Sequence, residues 1–144
     1  MKAFILIVLS CISIVANGAE NWGNDFSEAQ KLAKAENKLI LLNFSGSDWC
    51  GPCIQLKKEV FESEPFKAFA SQKLVLVRAD FPRLKKNQLP KEQQAKNDIL
   101  AEKYNTEGKF PLTVLINPDG KVLYKWEGFQ ASITNFIKEI EAHK

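Results

Sequence analysis

Apolar positions recur along this chain with two different periods, and the changes of period divide it into helices and strands. Spacings of three and four residues predict helices in four segments: 25–37, 50–60, 91–104 and 131–142. Short apolar runs predict strands in four more: 39–44, 74–80, 112–116 and 122–126. An Asn-Pro-Asp-Gly turn over 117–120 joins the last two strands into a hairpin. This order of elements predicts an α/β fold, a mixed sheet with helices on both faces.

The side chains that repeat at helical spacing form the predicted core faces of the helices. They are Phe26, Ala29, Leu32 and Ala33 in the first helix, Ala95, Ile99, Leu100 and Tyr104 in the third, and Ile133, Phe136, Ile137 and Ile140 in the last. Asp25 is the predicted N-cap of the first helix. Residues 66–71 are expected to add one or two further helical turns.

Residues 1–19 have the pattern of a secretory signal peptide. Lys2 supplies a short positive segment, 3–16 is almost wholly apolar, and Ala19 offers a small residue for cleavage. The apolar stretch is shorter than the roughly 20 residues that span a bilayer, which favours cleavage over a membrane anchor. A third alternative is lipid attachment at Cys11, because the residues before it loosely resemble a lipoprotein box. We therefore expect a signal peptide at 1–19 and one domain at 20–144.

Charge and cysteine count narrow the function. The formal net charge is +3 for the whole chain, and loss of Lys2 brings it closer to balance, so no nucleic acid or acidic membrane surface is expected as a partner. Cleavage also removes Cys11, which leaves Cys50 and Cys53 as the remaining thiols. A disulfide-stapled scaffold needs several bridges between distant segments. The predicted use of this local pair is therefore chemistry rather than stability.

The motif Trp49-Cys50-Gly51-Pro52-Cys53 follows an apolar strand and opens a helix. Unpaired N–H groups at a helix N-terminus favour a thiolate, so Cys50 is the predicted nucleophile. Because it lies at the turn between Trp49 and Gly51, it is also expected to be the more exposed thiol. Cys53, one turn further in, is predicted to be buried and to resolve the mixed disulfide. Gly51 and Pro52 shape the helix start and so tune the redox potential. No cofactor is expected. No metal is expected either, because a structural zinc site needs four ligands, commonly from two cysteine pairs, and this sequence has no second pair.

The same five residues reproduce the active-site sequence of thioredoxin, and the chain resembles the thioredoxin superfamily over 25–142. Phe110-Pro111-Leu112 resembles the family's cis-proline segment, and Gly128 resembles the glycine that ends the last strand. Within the superfamily the chain is more similar to secreted bacterial thioredoxin-like proteins and to the terminal domain of periplasmic thiol:disulfide interchange proteins. Two departures stand out: no clear first strand precedes the opening helix, and the loop Phe81–Pro90 is longer.

The resemblance implies a thioredoxin-like fold and a substrate groove beside the cysteines. Pro111 is implied to be cis, which places the Phe110 backbone where it can pair with an extended substrate segment. The rings of Phe110 and Trp49 then offer the substrate apolar contacts.

The family also implies a buried acid beneath the cysteines, to take the proton of Cys53. In this chain Asn43 stands there, and an amide is no base. Asp80 and Glu59 are the alternative acceptors, although a strand-end cap explains Asp80 better.

The function that these observations predict is reduction of disulfides in exported proteins, in the periplasm. A Gly-Pro pair between the cysteines resembles reducing members, and a reductant outside the cytosol must be recharged, so a membrane electron-transfer donor is the predicted second partner. The protein is expected to act as a monomer. A disulfide isomerase and a redox-inactive binding module on the same scaffold are the alternatives.

Three cations in the long loop and two tryptophans outside the motif have simpler expected roles. Arg83, Lys85 and Lys86 are predicted to be solvated, with docking of a partner as the alternative. Trp22 and Trp126 are predicted to pack in the core or at its rim.

Overall fold

The structure is a computed structural model that describes residues 21–143. The predicted signal peptide at 1–19, with Cys11, lies outside the described residues. The helices are α1 (Phe26–Glu36), α2 (Gly51–Leu56), α3 (Glu64–Lys73), α4 (Lys91–Tyr104) and α5 (Ile133–Ala142), and the strands are β1 (Leu39–Ser45), β2 (Leu74–Asp80), β3 (Leu112–Ile116) and β4 (Val122–Glu127). None of these helices is long and apolar enough to cross a membrane.

The four strands form one mixed sheet in the order β2-β1-β3-β4. β1 runs parallel to β2, with Leu39 opposite Leu74, and antiparallel to β3. β3 and β4 form the predicted antiparallel hairpin. Because β1 lies inside the sheet, its apolar side chains are buried on both faces, as the unbroken apolar run indicates. The predicted α/β class is confirmed.

The segment before α1 makes a single bridge where a further strand would lie. Gly23 N–H donates to the carbonyl of Leu76 at 2.8 Å, and Gly23 accepts from Arg78 N–H at 2.9 Å. These bonds cover part of the outer edge of β2. No longer strand precedes α1 in the part of the chain that the structure describes, in agreement with the sequence.

Each face of the sheet carries its own apolar core, because successive residues of a strand point to opposite faces. Ile40, Leu42 and Phe44 point to the face covered by α1 and α4. Leu41 points to the other face, where the core continues through α2, α3 and α5. Asn43 is two residues after Leu41 and so lies on the same face of the sheet, the face that α2 covers.

The helical spacing predicts some core positions correctly and others wrongly. Leu100 and Tyr104 of α4 are buried as predicted, but Ile99 is 64% exposed and Ala95 is exposed. The inward position is taken by Asn97, whose side-chain N–H donates to the backbone carbonyl of Asp80 at 2.9 Å. A buried amide with a partner therefore sets the face of α4, and the apolar pattern alone misplaces it.

A similar correction applies to α1. Ala29 and Ala33 are buried, whereas Leu32 is 46% exposed. The two alanines allow the helix to lie close to the sheet, and the larger Leu32 turns outward. In α5 the predicted positions Phe136 and Ile140 are buried.

The predicted helix over 50–60 is two segments. α2 is followed by a π-helical turn over Lys57–Phe61, which brings Val60 and Phe61 into the core at 1% exposure. The ring of Phe61 lies 4.8 Å from that of Trp22, so Trp22 packs at the core as predicted. α3 then covers the short turns predicted at 66–71 and extends beyond them at both ends.

Trp126 also packs in the core, as its apolar surroundings predict. Its ring lies 5.0 Å from that of Phe136, and its indole N–H donates to Glu139 of α5 at 2.5 Å. The second hairpin strand is thereby joined to the last helix.

Candidate active site

The two cysteines lie where β1 turns into α2. Trp49 and Cys50 both donate their backbone N–H to the carbonyl of Gly46, at 3.2 and 2.9 Å. Cys50 then caps α2, and its Sγ accepts the backbone N–H of Cys53 at 3.3 Å. Pro52 falls in the first turn, where a missing N–H costs no helical hydrogen bond. The sulfur of Cys50 thus receives a backbone donor at the start of the helix.

Cys50 and Cys53 are joined by a disulfide, with their Cα atoms 5.2 Å apart. Both residues are buried, at 4% and 3% exposure. The prediction that Cys53 is buried is confirmed. The prediction that Cys50 is the more exposed thiol holds by only one percentage point in this oxidised form, in which both residues are buried.

Trp49 is held against the turn by a glycine and by the chain that follows β2. A Cβ added at Gly46 would come within 2.3 Å of the indole ring, so this position must stay free of a side chain. The indole N–H donates to the carbonyl of Phe81 at 2.7 Å. The ring of Phe110 approaches Trp49 edge-on at 5.4 Å. The ring beside Cys50 therefore has a fixed orientation.

The long loop over residues 81–90, hereafter the docked loop, binds the residue before Trp49. Asp48 accepts the backbone N–H groups of Arg83 and Leu84, each at 2.9 Å, and the side-chain N–H of Asn87 at 3.0 Å. The guanidinium of Arg83 lies 3.6 Å from the centre of the Trp49 ring, a cation–π contact. The bond to the Arg83 backbone is the largest cause that holds the pKa of Asp48 below 3.8.

Replacing Asp48 with alanine should release the docked loop, because one carboxylate satisfies three of its donors. We expect hydrogen exchange of the Arg83 and Leu84 amides to become on the order of ten times faster, as measured by NMR. Asp119→Ala, at the far hairpin turn, is the matched control and should leave these amides unchanged. Equal protection in Asp48→Ala would contradict the role of Asp48.

The lowered pKa of Asp48 also predicts how the loop responds to acid. A folded-state pKa below the ordinary 3.8 means that the carboxylate's contribution is complete above about that pH and is lost as pH falls through the lowered value. Protection of the Arg83 and Leu84 amides in the wild type should decline in that acidic window only. Protection that already declines near neutral pH would show that another group holds the loop.

Phe110 and Pro111 lie next to the start of β3, and the peptide bond between them is cis, as the resemblance implies. Strand pairing of β3 begins at Leu112, so Phe110 lies beyond the ladder. Gly128, with φ of 74°, donates its N–H to the carbonyl of Pro111 at 2.9 Å. The start of β3 is thereby held from the end of β4, and the Phe110 backbone stays outside the sheet.

Position 43, where the resemblance implies an acid, holds a buried amide. Asn43 is 3% exposed, and its side-chain N–H donates to Thr113 Oγ1 at 3.1 Å. Glu59 is exposed and accepts from Gln55, so it points to solvent. Neither residue is placed to take a proton from Cys53.

Asp80 is the acid that shares a space with Cys53. Both line a cavity of about 370 Å³ together with Ser45, Ser47, Ile54, Lys57 and Arg78. Asp80 also accepts the backbone N–H and hydroxyl of Ser47, at 2.9 and 2.5 Å, and the backbone N–H of Phe81 at 3.0 Å. The carboxylate therefore caps the end of β2, and it lines the cavity that Cys53 also lines.

The docked loop is the part of the site that the sequence did not predict. The sequence predicts Asp48 to be part of a turn and Arg83 to be a solvated cation. The available signal was an acid immediately before Trp49 together with an unusually long loop after β2.

Among residues 21–143, no group of three or more His, Cys, Asp or Glu side chains is placed to hold a metal.

Comparison with known proteins places this site in a family. A model described as a thioredoxin-like domain matches residues 26–144. Disulfide bond reductase DsbH of Chlamydia pneumoniae is 41% identical over 105 residues, which are 73% of this chain and 61% of that protein. Thioredoxin-related protein DsbJ of the same organism is 29% identical over 136 residues, 90% of this chain and 38% of that protein. The chain thus spans less than two thirds of either relative.

Solved structures agree with the sequence match. A structure titled DsbH Oxidoreductase superposes with a TM-score of 0.76 at 36% identity, covering 85% of this chain and 82% of that one. A thioredoxin from Thermus thermophilus has a TM-score of 0.61 at 19% identity, with 84% of each chain covered, and so shows the fold alone. The predicted thioredoxin-like fold is confirmed, and the chain belongs to the thioredoxin-like domain family.

Proposed function

We propose that this protein is a thiol–disulfide oxidoreductase that reduces disulfides in exported proteins. One observation carries the proposal: Cys50 caps α2, accepts the N–H of Cys53 on its sulfur, and is already joined to Cys53 in a disulfide. This is the arrangement that two-step disulfide exchange needs, with one sulfur at a helix start and its partner one turn inside. The likeness to DsbH, which is named a disulfide bond reductase, supports the same activity.

The first step begins from the reduced pair. The Cys50 thiolate attacks one sulfur of a substrate disulfide, and a bond forms between the two sulfurs as the substrate disulfide breaks. The other substrate sulfur leaves as a thiolate and takes a proton from solvent. Backbone N–H donors at the start of α2 favour the attacking thiolate before the reaction.

The second step returns the pair to the observed state. Cys53 loses its proton, attacks Cys50 Sγ, and releases the second substrate thiolate. Two electrons have then passed from the cysteine pair to the substrate, and the Cys50–Cys53 disulfide remains. A dithiol donor must reduce it before the next cycle. For an exported protein we propose that a membrane electron-transfer partner supplies those electrons.

The proton of Cys53 has a path through the cavity beside it. A cavity of about 370 Å³ that includes serine, lysine, arginine and aspartate in its lining is large enough for water, so the proton can leave through solvent without a buried acid at position 43. Asp80, on the same cavity, is the proposed acceptor at its far side. The three hydrogen bonds that Asp80 already accepts make this a relay through water rather than direct transfer.

The proposed substrate groove lies between Trp49 and the start of β3. The Phe110 backbone, outside the sheet ladder, offers its N–H and carbonyl to an extended substrate segment. The rings of Trp49 and Phe110 form the apolar walls. Pro111 holds the segment beside the cysteines, and Gly51 and Pro52, both exposed, form the lip above them.

A dithiothreitol-driven insulin reduction assay tests this function. We expect the protein to accelerate precipitation of the insulin B chain well above dithiothreitol alone, because Cys50 attacks faster than a simple thiol. A substrate with scrambled disulfides tests isomerisation in parallel, and a reductase should reduce it without restoring the native pairing. A rate equal to dithiothreitol alone would overturn the proposal. Size-exclusion chromatography tests the expected monomer.

A further inference from the structure

We propose that the docked loop selects the substrate, so that disulfides flanked by acidic residues are reduced preferentially. The inference rests on the proposed function and adds a substrate class to it. It starts from the position of the loop, which lies against both residues that precede Cys50. Trp49 binds the carbonyl of Phe81, and Asp48 binds the N–H groups of Arg83 and Leu84.

Three hydrogen bonds join the backbone of the docked loop to the active-site turn. Because its backbone is already bonded to the active-site turn, a substrate that contacts it does not bear the free-energy cost of fixing it. Contacts made by its side chains can therefore contribute to affinity. The same contacts place those side chains next to Cys50 rather than at a distant surface.

Arg83 is the cation of the loop that contacts Trp49, the residue before Cys50. The central carbon of its guanidinium lies 3.6 Å from the centre of the Trp49 ring, and the residue is exposed. A guanidinium that stacks on an aromatic ring keeps the N–H groups at its edge, and these match the two oxygens of a carboxylate. Arg83 is thus oriented to receive an acidic side chain beside the groove.

The charge around Arg83 is not compensated by neighbouring ion pairs. Lys85 and Lys86 follow it in an exposed 3-10 turn, and in the described part of the chain none of the three cations has an ion-pair partner. Asp48 accepts donors of the loop backbone and Asp80 accepts donors of Ser47, so these two carboxylates leave the three cations of the loop with an excess of positive charge. The rim therefore attracts anionic groups.

Substrate geometry brings such groups within reach. A segment that lies extended over Trp49 and Phe110 advances about 3.3 Å for each residue, so acidic residues within roughly three positions of the attacked cysteine reach the loop. Opposite charges on the two surfaces raise the rate of encounter and hold the segment in register. The matching substrate is a disulfide with Asp or Glu close to its cysteines.

Three matched peptides test the inference. Each carries one intramolecular disulfide in the same sequence, flanked by glutamates, by glutamines or by lysines, and kcat/KM is measured for each. We expect the glutamate peptide to exceed the lysine peptide on the order of tenfold at low ionic strength. The difference should shrink in about 1 M salt, where the screening length falls to about 3 Å.

Charge-removing variants then assign the preference to the loop. The double variant Lys85→Gln/Lys86→Gln and the single variant Arg83→Gln should each lower the ratio of glutamate to lysine rates, with the glutamine peptide as the internal reference. Lys73→Gln is the matched control, because Lys73 is exposed and directly precedes the first residue of β2. The docked loop follows the last residue of β2, so the length of the strand, roughly 20 Å, separates the two. The ratio in Lys73→Gln should equal that of the wild type.

The possible failures are distinguishable. If the wild type reduces none of the three peptides, the proposed function itself is wrong. If it reduces all three at similar rates, or if both loop variants keep the wild-type ratio, the function stands and the role of the loop is overturned.

Discussion

Replacing Cys50 with serine should reduce the insulin-reduction rate to that of dithiothreitol alone. The hydroxyl of serine does not ionise near neutral pH and forms no disulfide, so the first bond to the substrate cannot form. Cys53 should not substitute for it, because Cys50 caps α2 whereas Cys53 lies inside the first turn of the helix. The assay measures B-chain precipitation, with circular dichroism to confirm that the variant is folded.

Cys53→Ser is the matched control, since it makes the same atomic change one helical turn away. This variant keeps the attacking sulfur and loses the resolving one, so it should accumulate a mixed disulfide with the substrate. Mass spectrometry under non-reducing conditions should detect that adduct in Cys53→Ser and not in Cys50→Ser. Full activity in Cys50→Ser, or an adduct on Cys53, would contradict the assignment of roles.

Replacing Phe61 with alanine should lower the free energy of unfolding by about 3–5 kcal/mol. Phe61 ends the π-helical turn after α2 and is 1% exposed. Its ring contacts Trp22, Phe66 and Phe136 at 4.8, 5.2 and 6.4 Å. Truncation removes these contacts and leaves a cavity that the sheet and two helices are unable to close fully. Urea unfolding followed by tryptophan fluorescence measures the change.

Ile99→Ala is the control for Phe61→Ala, because Ile99 is apolar but 64% exposed. It should change stability by no more than about 0.5 kcal/mol. A loss below about 1 kcal/mol in Phe61→Ala would contradict the placement of the π-helical turn in the core. The prediction matters for function, since this turn anchors the C-terminal end of the active-site helix.

The sheet was predictable because β1 and β2 are apolar runs too short for helices and bounded by turn residues. The hairpin was predictable because its turn sequence over 117–120 is unambiguous. The residues of α4 that face solvent were harder to predict from the sequence. The apolar pattern favours Ile99, but a hydrogen bond from Asn97 to the end of β2 fixes the helix rotation, and no apolar pattern reports a buried amide.

Part of the site was equally accessible to sequence. Cysteine spacing and the strand before it mark Cys50 and Cys53, and the resemblance implied the cis bond at Pro111. The contact between the docked loop and the active-site turn was harder to predict, because Asp48 and Arg83 are 35 positions apart and the acid before Trp49 and the long loop do not by themselves indicate that they pair. The burial of Cys50 was missed for another reason: its exposure was inferred from the helix start alone, without the disulfide to Cys53.

The reduction potential of the Cys50–Cys53 pair tests the central claim most directly. The pair is equilibrated in glutathione or dithiothreitol redox buffers, the free thiols are alkylated, and the oxidised fraction is read by mass. A reductase should show one two-electron transition closer to the ~ −270 mV of thioredoxin than to the ~ −120 mV of a strong oxidant. A midpoint at or above about −180 mV, or no two-electron transition, would contradict the account.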